Sequence, residues 1–196
     1  SDLIEGFRYL ALENRTAMML VVLAAGPLAF AHSYVTLLPV FVTTVLDGGS
    51  SGFGLIQSVS AVGALVGGFT LASLRDVRHK GRIMMITGLS YGVLVLVLGS
   101  VTWTFLAFGI VVFIGASQTV FRTSNNSSLL EITPRRLQGR VLSVTALDMG
   151  VQALAAVLAG AITDAYSVAV GMAVLGGMCL VIVAIVGIGA PAIRRL

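Results

Sequence analysis

Two charged side chains lie inside apolar stretches of the sequence, Arg122 and Asp148. A charge near the centre of a membrane helix costs about 2.5–3.5 kcal/mol on insertion scales, so it requires a partner, water or a function. Arg122 comes eight residues before its stretch ends at Leu130, and Asp148 comes eight residues after Arg140, where the next stretch begins. At about 1.5 Å per helical residue, both charges lie roughly 12 Å from the same membrane surface.

We therefore expect Arg122 and Asp148 to face each other, either in contact or across a watery cavity. One alternative is an ion pair that only fixes helix packing, and another is an Arg122 side chain that extends to the membrane surface. Polar neighbours on the same helical faces favour the cavity. These stripes are Gln118, Arg122 and Asn125; Thr145, Asp148 and Gln152; His32, Thr36, Pro39 and Thr43; and Gln57 with Ser60.

Proton exchange is the chemistry that these residues suggest. Asp148 is the stronger candidate, and His32 is a second one because histidine titrates near physiological pH. The alternative for His32 is a hydrogen-bonded packing residue. The sequence offers no nucleophile–base pair, no cluster of metal ligands and no Walker-type ATP-binding loop. It therefore predicts no catalytic residue, no metal, no cofactor and no enzyme.

The elements that position these residues are long apolar helices. Of the 196 residues, 57% are hydrophobic and 10% are charged, against about 25% charged in a soluble domain. A membrane crossing needs about 20 apolar residues. We expect a cytoplasmic amphipathic linker helix at residues 1–15 and a six-helix domain at residues 16–196. Its predicted spans are 16–46, 53–74, 83–102, 104–130, 141–163 and 168–190, with Pro27 and Pro39 kinking the long first one.

The basic residues orient these six spans. Of the twelve lysines and arginines, all but Arg122 lie before the first span, between the second and third, between the fourth and fifth, or after the sixth. With six spans, those segments share one membrane face, which the positive-inside rule makes cytoplasmic. Nucleic-acid binding is disfavoured, because the basic clusters stand at the ends of hydrophobic runs.

Small residues predict where the helices pack. Pairs at GxxxG spacing are Gly63 with Gly67 and Gly88 with Gly92, and the fifth span offers Ala153, Ala156 and Gly160. The second and fifth spans open on similar fragments, residues 58–61 (SVSA) and 143–146 (SVTA). That similarity favours an all-α membrane protein built as a 3+3 inverted repeat, with chance similarity as the alternative. The third and sixth spans lack polar stripes and are expected to face lipid.

The chain resembles the C-terminal half of a major facilitator superfamily transporter, and most of all the transmembrane secretion effector group, which includes enterobactin-exporter-like proteins. The stretches that carry the resemblance are DLIEGFRYLALENR (2–15), LLPVFVTTVLDGGSSGFGLIQS (37–58), HKGR (79–82) and NNSSLLEITPRRLQGRVLS (125–143). The resemblance implies half of a twelve-helix fold and transport by alternating access. It also implies a cytoplasmic loop motif, which survives here as Gly81, Arg82, Gly139 and Arg140. Ser73 replaces the expected Asp and Gln138 the expected basic residue, and Asp148 is not expected from the family.

The resulting expectation is a proton-coupled exporter of small molecules, drug-like or siderophore-like, in a bacterial inner membrane with both ends of the chain cytoplasmic. Its substrate and proton pathway is expected to include Arg122, Asp148, Gln118, Asn125, Gln152 and His32. Its partners are the bilayer, a small-molecule substrate, protons and an N-terminal six-helix half of the same polypeptide. We expect that half because the chain begins at Ser1 with a linker-like segment. The alternative is a self-sufficient homodimeric half-transporter or channel-like bundle.

Overall fold

Six membrane-length helices make up the structure, a computed structural model that describes residues 14–73 and 80–189. Within those ranges the chain is helical with turns and contains no strand. The helices are α1 (Arg15–Thr44), α2 (Ser50–Ser73), α3 (Lys80–Leu98), α4 (Thr104–Glu131), α5 (Arg135–Ala165) and α6 (Val168–Gly189). The expected all-α architecture with six spans is therefore confirmed. The linker helix predicted at residues 1–15 falls outside the described residues up to position 13.

The first helix is irregular at its middle, where the sequence places a proline. A π-helical turn occupies Ala25–Phe30 and a 3-10 turn occupies Ala31–Ser33, before regular helix resumes at Tyr34–Thr44. Pro27 lies in the π-helical turn, and proline has no N–H for the helical ladder and clashes with the preceding turn. Pro39 lies inside the second regular part of α1. The irregular turns place residues 25–33 of α1 next to α5 and α6.

Two helix boundaries differ from the sequence prediction by more than three residues. The third helix ends at Leu98 instead of residue 102, because the chain turns there with Ser100 N–H donating to the Val97 carbonyl at 3.0 Å. The fifth helix begins at Arg135 instead of residue 141, since charged residues at a membrane surface can be helical although they interrupt an apolar run. It also tightens near its middle, where Gly150 N–H donates to the Leu147 carbonyl at 2.9 Å.

Glycines allow the closest helix contacts. A Cβ atom added at Gly67 would lie 2.7 Å from the Ala116 carbonyl oxygen, and one at Gly63 would collide with Val112. Backbone at Gly67 therefore approaches α4 closely, as in other small-residue membrane interfaces. Gly92 meets Gly176 in the same way between α3 and α6.

The small residues predicted to form the packing face of α5 are displaced by one position from those that are buried. Ala153 is exposed, and a Cβ atom at Gly160 would have no neighbour within 4 Å. The buried small residues of α5 are Ala155 and Ala159 instead. Ala159 presents its carbonyl group to Gly171 of α6. The spacing of four is therefore right, but small residues occupy several neighbouring faces of α5 and spacing alone does not select among them.

Apart from the packing of α5 on α6, the main packing pairs follow an inverted repeat. The helix α2 packs on α4 as α5 packs on α1, and α3 packs on α4 as α6 packs on α1, while α3 and α6 pack on each other. The repeat relates α1 to α4, α2 to α5 and α3 to α6. Under this exchange the pair α2–α4 becomes α5–α1, the pair α3–α4 becomes α6–α1, and the pair α3–α6 is unchanged. The repeat places α3 and α6 more deeply within the bundle than α2 and α5, whose large apolar side chains are widely exposed.

One end of the bundle collects the basic residues. Asn14, just before α1, accepts from Ala17 N–H at 3.0 Å and donates from Nδ2 to the Ile132 carbonyl at 3.1 Å, where α4 ends. At the same end, Lys80 of α3 forms an ion pair with Glu131 of α4. We call this end, which comprises the starts of α1, α3 and α5 and the ends of α2, α4 and α6, the basic end.

Candidate functional site

A polar cleft of about 390 Å³ opens between α1, α4 and α5. Its lining combines amide, imidazole, guanidinium and carboxyl groups with aliphatic side chains. The residues are Leu28, His32, Gln118, Arg122, Asn126, Leu142, Thr145, Ala146, Asp148, Met149 and Gln152. Three helices, α1, α4 and α5, thus bring their polar stripes to one place.

Five of the six residues predicted for the pathway line this cleft. They are His32, Gln118, Arg122, Asp148 and Gln152. The sixth, Asn125, lies elsewhere: it is 1% exposed, and its Oδ1 atom has no hydrogen-bond partner among the described residues. Its neighbour Asn126 takes the place at the cleft. Residues 118, 122 and 126 follow each other at intervals of four, so they share one edge of α4 while Asn125 turns toward the packed interior.

Arg122 and Asp148 line the same cleft without touching. Arg122 is exposed and Asp148 is half-buried. Among the described residues the ion pair within 4.0 Å is Lys80 with Glu131, and Arg122 and Asp148 form none. The geometry corresponds to the expectation of two charges across a cavity rather than to a closed pair. Both charges are therefore available to a ligand, to water or to each other after a small movement.

The His32 imidazole is held by two polar groups. Gln118 Nε2 lies 2.7 Å from His32 Nδ1, and the Tyr91 hydroxyl lies 3.3 Å from the same nitrogen. Tyr91 is fully buried, and its ring meets Tyr34 edge-on with centroids 6.4 Å apart. The network ties α1, α3 and α4 together and fixes the orientation of the imidazole at the cleft wall.

Tyr91 was not predicted as part of the site, because the third span lacks a polar stripe and was expected to face lipid. A single tyrosine in an otherwise apolar helix forms no stripe, so the periodicity of α3 gives no sign of it. The usable signal is the residue type itself, since a buried tyrosine hydroxyl usually finds a hydrogen-bond partner. Ser33, next to His32 in α1, was not predicted either.

Ser33 joins the irregular part of α1 to α5. Its hydroxyl is buried and lies 2.7 Å from the Ala29 carbonyl and 3.0 Å from the Gln152 carbonyl. The irregular part of α1 and the part of α5 that follows Asp148 thus pack against each other beside the cleft. Irregular helix geometry of this kind occurs often at functional sites and where backbone lines a cavity.

The residues of the expected loop motif lie at the basic end, away from the cleft. Gly81 is buried at the start of α3 and Arg82 is exposed beside it, while Gly139 is exposed near the start of α5. Arg140 is partly buried. Lys80, which the motif did not single out, makes the structural contacts there, with Nζ donating to Ser127 Oγ at 3.3 Å and pairing with Glu131.

Metal binding finds no support in the described residues, which contain no group of three or more His, Cys, Asp or Glu side chains able to share an ion. Cys179 is a free, buried thiol near the Gly88 carbonyl, at 3.7 Å. The chemistry within reach of the cleft is therefore ionic recognition and hydrogen bonding.

Six apolar helices around a cleft with charged walls define a multi-pass membrane protein. The chain belongs to the transmembrane secretion effector family, whose model matches residues 1–193. It is similar to a protein of Bacillus subtilis (strain 168) named "Uncharacterized MFS-type transporter YfmI", with 28% identity over 151 residues, which cover 75% of this chain and 37% of that relative. No solved structure matches the chain significantly. The predicted family is confirmed.

Proposed function

We propose that this chain is the C-terminal half of a proton-coupled secondary transporter that exports small molecules by alternating access. The observation that carries the proposal is the cleft, in which Arg122 and Asp148 face a common space without neutralising each other in a direct pair. Unpaired charges at membrane depth are expensive, so they persist where they bind or move something.

Arg122 and Asp148 have complementary roles in the proposal. Arg122 binds the anionic or strongly polar group of a substrate, because its guanidinium offers several donors in a fixed plane. Asp148 exchanges the proton. When its carboxyl group is ionised, the cleft carries one positive and one negative charge and the carboxylate competes with the substrate for Arg122. When it is protonated, Arg122 is free to bind, so proton and substrate occupancy become linked.

Polar groups around the two charges orient the substrate. Gln118 and Gln152 provide amide donors and acceptors on opposite walls, α4 and α5. His32 is fixed by Gln118 and Tyr91, so it acts in the proposal as a positioned hydrogen-bonding group beside Arg122. The aliphatic lining from Leu28, Leu142 and Met149 suits compounds with an apolar body and a polar or charged end, such as amphipathic drugs or siderophores.

A second six-helix half of the same polypeptide completes the cleft in this proposal. The helices α2 and α5 expose large apolar side chains, such as Phe69 at 74% and Met149 at 70% exposure. Met149 also lines the cleft, so an N-terminal half placed against this side would cover both. In the proposed arrangement residues 1–15 join the two halves in the cytoplasm, residues 16–196 form this half, and the basic end faces the cytoplasm of a bacterial inner membrane.

Transport by the full-length protein in everted membrane vesicles tests the proposal. We expect vesicles to accumulate a fluorescent drug or a siderophore, and an uncoupler of the proton gradient to abolish the accumulation. Asp148→Asn should remove the uncoupler-sensitive uptake while membrane insertion is preserved. The matched control is Asp164→Asn, at an exposed carboxylate near the end of α5 that does not line the cleft. Uptake that ignores the uncoupler, or that survives in Asp148→Asn, contradicts proton coupling through Asp148.

A further inference from the structure

A second groove lies between α1 and α6 at the basic end, away from the polar cleft. Its volume is about 300 Å³, and its walls are methionine and aliphatic side chains. Its mouth lies where α1 begins and α6 ends, and its lining includes Arg15, Met19, Val22, Ile185, Val186 and Gly189. Transport through the cleft uses none of these residues.

The groove runs from the membrane surface into the hydrocarbon. Arg15 is the first residue of α1 and Gly189 is the last residue of α6, so the mouth is level with the helix ends. Val22 follows Arg15 by seven residues, which places the inner end about 10 Å deeper along the helix. The polarity changes along the same path, from a guanidinium group at the mouth to aliphatic side chains inside.

Arg15 is available at that mouth. Its side chain is exposed and forms no ion pair or hydrogen bond with any described residue. Gly189 adds no side chain to the mouth, and a Cβ atom placed there would have no neighbour within 4 Å among the described residues. The side chains that define the walls, such as Met19 and Val186, contribute no hydrogen-bonding group that would recognise a polar solute.

We propose that this groove binds an anionic phospholipid of the surrounding leaflet, with its phosphate at Arg15 and one acyl chain along the apolar walls. A phospholipid matches the groove along its length, because its charged headgroup lies at the membrane surface and its hydrocarbon chains lie below. Basic pockets between transmembrane helices bind anionic headgroups in this way, and a cation near the surface contributes about a fivefold preference for them, equivalent to about 1 kcal/mol.

Site-directed quenching in vesicles tests the proposal. A fluorophore is attached to Val22→Cys in the full-length protein on a background without other cysteines, and quenching by brominated phosphatidylglycerol is compared with quenching by brominated phosphatidylcholine. We expect about a fivefold preference for the anionic lipid at this position. A fluorophore at Ile86→Cys in an Arg82→Gln background is the control: position 86 is exposed on α3 at a similar depth, the exposed arginine one turn above it is removed, and the ratio should be near one.

Two substitutions then distinguish lipid binding in the groove from general attraction of anionic lipid by the basic end. Arg15→Gln should remove the preference at position 22, whereas Arg136→Gln, at an exposed arginine of the same end outside the groove, should preserve it. Gly189→Leu should lower quenching by both lipids, because it fills the mouth. Equal quenching by the two lipids in the unsubstituted protein, or an equal loss in both arginine variants, overturns the proposal. So does a rapid disulfide between cysteines placed at Phe7 and Met19, which would show that the chain's own first residues cover the groove.

Discussion

Gly63 sets the distance between α2 and α4, so replacing it with alanine tests how closely these helices pack. A Cβ atom at Gly63 would lie 2.7 Å from the Val112 carbonyl carbon and 2.9 Å from its Cα atom. Both are backbone atoms, so relief requires the two helices to separate. Overpacking of this kind costs about 1–3 kcal/mol. Alanine also gains about 0.8–1.0 kcal/mol in helix propensity over glycine. The two effects leave Gly63→Ala less stable by up to about 2 kcal/mol.

Gly160→Ala is the matched control, because a Cβ atom there has no neighbour within 4 Å and only the propensity gain applies. We expect it to raise stability by up to about 1 kcal/mol. Thermal unfolding of the full-length protein in detergent, followed by fluorescence-detected size exclusion, compares the two variants. Their melting temperatures should move in opposite directions. A Gly63→Ala protein as stable as Gly160→Ala would refute the close contact between α2 and α4.

Two further predictions concern polar contacts. Tyr91→Phe should lower the free energy of unfolding by about 0.6 kcal/mol, because it removes one hydroxyl contact with His32 in a membrane interior. A double-mutant cycle with His32→Ala measures this contact. A coupling energy of zero in that cycle would contradict the prediction. The pair Lys80–Glu131 lies at the bundle's surface, so a cycle of Lys80→Gln and Glu131→Gln should give at most about 1 kcal/mol of coupling at low salt and less at 1 M salt. Coupling that is independent of salt would show that the pair is buried.

The number of helices was predictable because each apolar run is long enough to cross a bilayer. The hydropathy of about 20 residues adds up in each run, so no single residue decides the prediction. Helix ends were less predictable. The fifth helix already begins at Arg135, before the apolar run starts, and Gly99 and Ser100 turn the chain although the third apolar run continues. Hydropathy reports where a segment prefers lipid, whereas a helix ends where its backbone hydrogen bonds find other partners.

The position of the cleft was predictable from the polar stripes, but its edges were not. At about 100° per residue, Gln118, Arg122 and Asn126 span an arc of about 80° centred on Arg122, and Asn125 lies about 60° from that centre. Periodicity therefore places both asparagines near the polar face. Which of them meets the cleft depends on how α4 is rotated against α1 and α3, and no property of α4 alone contains that information.

The central claim is that the face of α4 bearing Arg122 and Asn126 borders an open polar cleft while the face bearing Asn125 is packed. Reaction of a water-soluble, charged thiol reagent with single cysteines in the full-length protein tests it most directly. Asn126→Cys should react, and prior addition of a transported substrate should slow that reaction, whereas Asn125→Cys should stay unreacted in the folded protein. Rapid labelling of Asn125→Cys together with protection of Asn126→Cys would contradict the account.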